Sequence, residues 1–102
     1  TTTDTVAPVI SAVTSSGITA AAASVLWNTD ENADSTAWYS TTTPVAIGGG
    51  ALTTTNASLV SAHSLGLTGL TASTTYYFLV VSKDGNGNTA TSSESSFTTL
   101  GL

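Results

Sequence analysis

The chain has 102 residues, with 22 Thr and 15 Ser, one basic residue against six acidic ones, one His and no Cys. A net charge of −5 excludes nucleic-acid binding through phosphate neutralisation and polybasic docking on a membrane. The missing Cys excludes disulfide staples and thiolate metal sites, and the single His excludes multi-His metal centres.

The length suits one domain able to bury its own core. No stretch of 18 or more apolar residues predicts a membrane span, and no basic-then-apolar leader opens the chain. Charged residues make up 7%, against about a quarter in an average soluble domain. This cation-poor, Thr/Ser-rich composition points to a secreted or surface-displayed protein.

In chain order, Thr1–Thr5 reads as a linker. Pro8 starts an extended segment, and Val9, Ile10 and Val13 form a first strand whose mixed parity predicts a bulge. Ser15-Ser16-Gly17 is a turn. From Ile18 to Trp27 the alanines favour helix, but period two places Ala21, Ala23, Val25 and Trp27 on one face, and a strand is expected. Asp30–Asp34 reads as an acidic loop. Thr36–Thr42 is a strand with Ala37 and Tyr39 inward, and Pro44 interrupts it. Val45 to Thr54 reads as a short edge ribbon around Gly48–Gly50, and Asn56–Ser61 as turn-like.

His63, Leu65 and Leu67 alternate with small polar residues in another strand. Tyr76–Val81 has the densest aromatic and β-branched content. Asp84-Gly85-Asn86-Gly87-Asn88 is the strongest turn signal, and Thr89–Thr99 the last strand, anchored by Phe97. About seven short strands at this spacing predict an all-β, immunoglobulin-like sandwich.

Four stretches carry a family resemblance across nearly the whole chain: Ala7-Pro8-Val9-Ile10, Val25 to Glu31, His63 to Leu70, and Thr74 to Phe78 with Asp84 to Asn88. Through them the chain resembles a fibronectin type III-like module of the divergent kind found in secreted bacterial and archaeal proteins, over residues 6–100. The resemblance implies three strands packed on four, with Trp27 in the core. It implies a tyrosine corner from Leu70 and Tyr76, whose hydroxyl ties a crossover loop to the backbone. Ala72 stands where the family often has Pro, which should loosen that corner slightly.

The same resemblance would crowd Asp4, Asp30, Glu31, Asp34 and Asp84 at one pole. Ca²⁺ is the ion such carboxylates suit; the other reading is solvated loop acids partly neutralised by Lys83. Asp84 to Asn88 mimics part of a Ca²⁺-binding loop, but Thr89 replaces its Gly and Ser95 its closing Glu, so a hairpin turn is expected.

With Ala37, Tyr39, Tyr76, Phe78 and Val80 inward, the outward residues Trp38, Tyr77, Leu79 and Val81 form an apolar patch. Such surface marks an interface with a neighbouring domain, another copy of the chain or a sugar ring; the alternative is cross-strand packing alone. His63 reads as a packing residue, since a Ser near it means little in a chain this rich in Ser. Adjacent Asp30 and Glu31 give weak support for glycosidase chemistry. Asn56-Ala57-Ser58 is a sequon for N-glycosylation.

The expectation is a non-catalytic module, extracellular or on the cell surface, acting as a spacer or adhesion domain without a resident cofactor. Its partners would be neighbouring domains or copies of itself. The alternatives are a subunit of a self-assembling surface filament or layer, and a carbohydrate-binding accessory domain of a secreted hydrolase.

Overall fold

The computed structural model describes residues 6–45, 47 and 49–101, and the expected linker Thr1–Thr5 lies outside them. Six strands and no helix are present among the described residues: β1 (Ile10–Ser16), β2 (Ala23–Ser40), β3 (Leu52–Leu67), β4 (Thr75–Lys83), β5 (Thr89–Thr91) and β6 (Ser95–Thr98). All pairings are antiparallel.

Two long strands serve both layers of the sandwich. The first half of β2 lies between β1 and Ala62–Leu67 of β3. Its second half lies between Leu52–Asn56 of β3 and Tyr77–Val81 of β4, and β4 continues to β5 and β6. Counting β5 and β6 as one interrupted strand, three strand segments face four, the arrangement the resemblance implied, although six strands build it rather than seven.

The change of layer occurs where register slips. From Asn28↔Ala62 to Ala33↔Val60, β2 advances five residues while β3 advances two; from there to Ser35↔Asn56, β2 advances two and β3 four. Surplus residues on alternate sides bend the paired ribbon without breaking its pairing. Asp30–Asp34, expected as a loop, therefore lies within β2, and Asn56–Ser61, expected as a turn, lies within β3. The turn signal at Asn56 is real but local: Ser58 N–H donates to Asn56 Oδ1 at 2.9 Å, an Asx bond at the point of slippage.

Ala20 to Ala22 also depart from the expected strand, because β2 begins at Ala23. Thr19 Oγ1 accepts the amides of Ala21 and Ala22 at 3.3 and 3.0 Å, and this local capture holds them in a turn. The bulge expected in β1 is present between Ser11 and Thr14, with Ala12 at φ 55°. The last strand is split into β5 and β6 because Ser92 leaves the ladder. Its amide donates to Val80 O and its hydroxyl accepts from Val80 N–H.

Period-two alternation fills the core. Ala23, Val25, Trp27, Ala37 and Tyr39 of β2 meet Leu65 and Leu67 of β3, Tyr76, Phe78 and Val80 of β4, and Phe97 of β6. Tyr76 and Phe97 lie 5.8 Å apart between ring centroids and nearly parallel. Burial at about 25 cal/mol per Å² of apolar area is what drives these faces together.

The tyrosine corner is closed, with Thr71 N–H donating to Tyr76 Oη at 2.8 Å and Leu70 buried. The loosening expected from Ala72 is not seen. Thr99, itself buried, donates its hydroxyl to Thr71 O at 2.6 Å and accepts from Thr74 N–H at 2.9 Å, fixing the crossover from its other side. Tyr76→Phe keeps the ring and removes the acceptor, so it should cost about 1–3 kcal/mol. At about 4–8 °C per kcal/mol for a domain of this size, a thermal melt of the variant checks this.

Candidate functional site

Trp27, His63 and Ser82 form the polar centre of the core. Trp27 is 1% exposed and its indole N–H donates to Ser82 Oγ at 2.8 Å, crossing from one layer to the other. The His63 ring stacks on it, with centroids 4.9 Å apart and planes 3° from parallel.

Both imidazole nitrogens of His63 are satisfied, by Thr29 Oγ1 at Nε2 (2.8 Å) and Ser35 Oγ at Nδ1 (2.7 Å). Thr29 donates its proton to Glu31 O at 2.7 Å, so its oxygen accepts from Nε2–H, and Ser35 donates to Nδ1. Ser35 is 3% exposed, so this Ser–His pair faces no solvent that could bring a substrate. It is a packing pair, as read from the sequence.

The acidic residues are placed one by one. Asp4 lies outside the described residues. Asp30 Oδ1 accepts Val9 N–H at 2.8 Å and Asp34 Oδ1 accepts Lys83 N–H at 2.9 Å. Lys83 thus meets an acid through its backbone. Asp84 is buried; its Oδ1 accepts the amides of Asn86 and Asn88, and its Oδ2 accepts Asn88 Nδ2. Gly87, at φ 88°, closes this turn by donating to Asp84 O at 3.2 Å, a conformation only Gly adopts freely.

Glu31 is partly buried on β2. Among the described residues no group of three or more His or acidic side chains stands together as a metal site. Asp30, Asp34 and Asp84 each hold backbone amides. Glu94, which the sequence reading passed over, does the same for the segment around Pro44. Its carboxylate accepts from Val45 N–H at 2.6 Å and from the Thr43 hydroxyl. A lone acid in a Ser-rich run carries no signal of this in the sequence.

The structure places the four outward residues on one face. Trp38 lies opposite Leu79, Ser40 opposite Tyr77 and Thr36 opposite Val81, so the four apolar residues share the outer face of the four-stranded layer. Each is half-buried, because its cross-strand neighbours cover one side. Hydroxyl residues frame them: Thr53 beside Trp38, Ser96 beside Tyr77 and Thr91 beside Val81. Asn56 is exposed at the slipped register of β3.

Two outcomes follow. Asp84→Ala frees two turn amides and should lower stability by about 1–3 kcal/mol, read from urea melts in Ca²⁺ and in chelator; equal losses in both would mark a turn-holding role without an ion. Burial lowers the pKa of His63, with the Asp34 carboxylate pulling the other way. The unfolded chain then takes up this proton first, near its ordinary value of about 6.5. Stability contributed by neutral His63 is complete above that pH and is lost as pH falls toward the folded value, at no more than about 1.4 kcal/mol per pH unit. Denaturant melts from pH 7.5 to 5, with His63→Gln showing a flatter profile, check this.

No protein-family model matches the sequence, and no curated protein is similar to it at the sequence level. Solved structures do share its fold. A myokine structure superposes with a TM-score of 0.73 at 23% identity, covering 92% of this chain and 96% of that one. The sensor domain of the anti-sigma factor RsgI4 of Pseudobacteroides cellulosolvens gives 0.65 at 19% identity, covering 97% and 100%. The third fibronectin III domain of human KIAA0343 gives 0.62 at 16%, covering 89% and 80%. With three strand segments packed on four, a closed tyrosine corner and these neighbours, the chain has the fold of a fibronectin type III domain.

Proposed function

We propose that this chain is a non-catalytic extracellular module, a spacer or adhesion domain, whose outer four-stranded face docks on a like module, either the next in tandem or a second copy. The patch of Trp38, Tyr77, Leu79 and Val81 carries this reading, since contiguous apolar side chains on an outer sheet face are what an interface buries. The cation-poor composition and the fold shared with a bacterial sensor domain support an extracellular or cell-surface setting. A chain rich in hydroxyls and poor in charge also suits a spacer that must not attract polyanions.

Trp27 is 1% exposed, so iodide quenches Trp38 alone and reports on the patch. In two copies joined in tandem, quenching of Trp38 should fall at least twofold relative to dilute single chain, and Trp38→Ser should remove the quenchable emission. Unchanged quenching in the tandem would sink this reading. A saturable response of Trp38 to soluble polysaccharide would replace it with the carbohydrate-binding alternative.

A further inference from the structure

We propose that the Val60–Leu67 half of β3 is an open pairing edge, completed by the same edge of a second copy through antiparallel strand addition. This contact is distinct from the outer-face patch and does not depend on it. Among the described strands, β3 is hydrogen-bonded to β2 alone. In an antiparallel pair every second residue turns its backbone N–H and C=O away from its partner. Such a row of donors and acceptors is matched by another extended strand.

The other edges of the sandwich are guarded. β1 follows Pro8 and is bent by its bulge at Ala12, and β5 and β6 are short and interrupted, with Glu94 in the gap. Short, bulged or charged edges resist pairing. β3 differs in length and charge: it runs for 16 residues without Pro, Asp, Glu, Lys or Arg, and its own surplus residues, between Asn56 and Val60, come before the open half. From Ala62 to Leu67 it keeps unbroken register with β2, so this half is straight enough to template a strand.

The side chains fit self-pairing. His63, Leu65 and Leu67 are buried in the core, while the exposed alternates Ala62, Ser64 and Gly66 are small and let a second backbone approach. Large apolar residues are exposed on this same strand: Leu52 at 55%, Leu59 at 49% and Val60 at 37%. The last two stand at the head of the open half, where an added strand would cover them. The acids lie on other segments (Asp30, Glu31 and Asp34 on β2, Asp84 after β4, Glu94 between β5 and β6). β3 itself therefore brings no acidic side chain into such a pairing, despite a net charge of −5 on each copy.

Sedimentation of the full chain across a concentration series tests this, with Ser64→Lys and Trp38→Ser beside it. A dimer is expected. Ser64→Lys should weaken it at least tenfold, by setting two cations against each other. The substitution reduces the magnitude of the net charge, so overall repulsion cannot explain the loss. Trp38→Ser should leave the dimer intact. Amide exchange on the unaltered protein gives a second reading, with β3 amides gaining protection as concentration rises. A monomer at every concentration, a Ser64→Lys chain that associates like the parent, or open-ended oligomers that persist in Trp38→Ser would each overturn the proposal. Loss of the dimer in Trp38→Ser would overturn it in favour of the outer face.

Discussion

Trp27 joins the two layers of this protein. Its ring stacks on His63 of β3, its N–H reaches Ser82 of β4, and its backbone belongs to β2. A sandwich of about a hundred residues buries little surface for its length, so a large side chain that spans the core supplies a disproportionate share of its cohesion. The polar atoms that come with it are all partnered: no buried side-chain nitrogen or oxygen lacks a hydrogen bond among the described residues. A Ser at position 82 is what makes an indole tolerable there, since an unpartnered N–H in that setting costs more than a good bond returns.

Given that centre, the two long strands follow. β2 carries Trp27 into one layer and Tyr39 into the other, and β3 shadows it through compensating register slips. The corner is then held by side chains that take backbone amides. Asp30 takes Val9, Asp34 takes Lys83, and Asp84 takes its own turn. Acids crowded at one end of a sandwich invite comparison with a cation site. Here Asp30, Asp34 and Asp84 each give backbone amides charge-assisted hydrogen bonds.

The chemistry of the surface is hydroxyl rather than charge. Thr36 and Thr55 bond across β2 and β3, and Thr75 and Thr98 across β4 and β6. These pairs cover the outer faces with short side chains that leave little freedom to lose on contact. The apolar patch of the four-stranded layer and the open edge of β3 are two places where this covering is interrupted. One offers side-chain area and the other backbone hydrogen bonds, and a module that meets its neighbours can use each separately.

The all-β class, the inward faces of the strands and the Asp84–Asn88 turn were legible in the sequence, because period-two alternation and turn chemistry are local properties, while the core place of Trp27 was implied by the family resemblance. The outward set of Trp38, Tyr77, Leu79 and Val81 followed from the same parity. Other features were settled only by tertiary structure. Asp30–Asp34 and Asn56–Ser61 look like loops by composition, yet each lies against a partner strand whose pairing outweighs weak local preference. Ala20–Ala22 look regular, yet the Thr19 hydroxyl captures their amides. That Glu94 holds the segment at Val45, that Thr99 steadies the tyrosine corner and that β3 is left with an open edge depend on residues distant in the chain. Alternation along one strand records which way its side chains face; which strands lie beside it is decided by the packing of the whole.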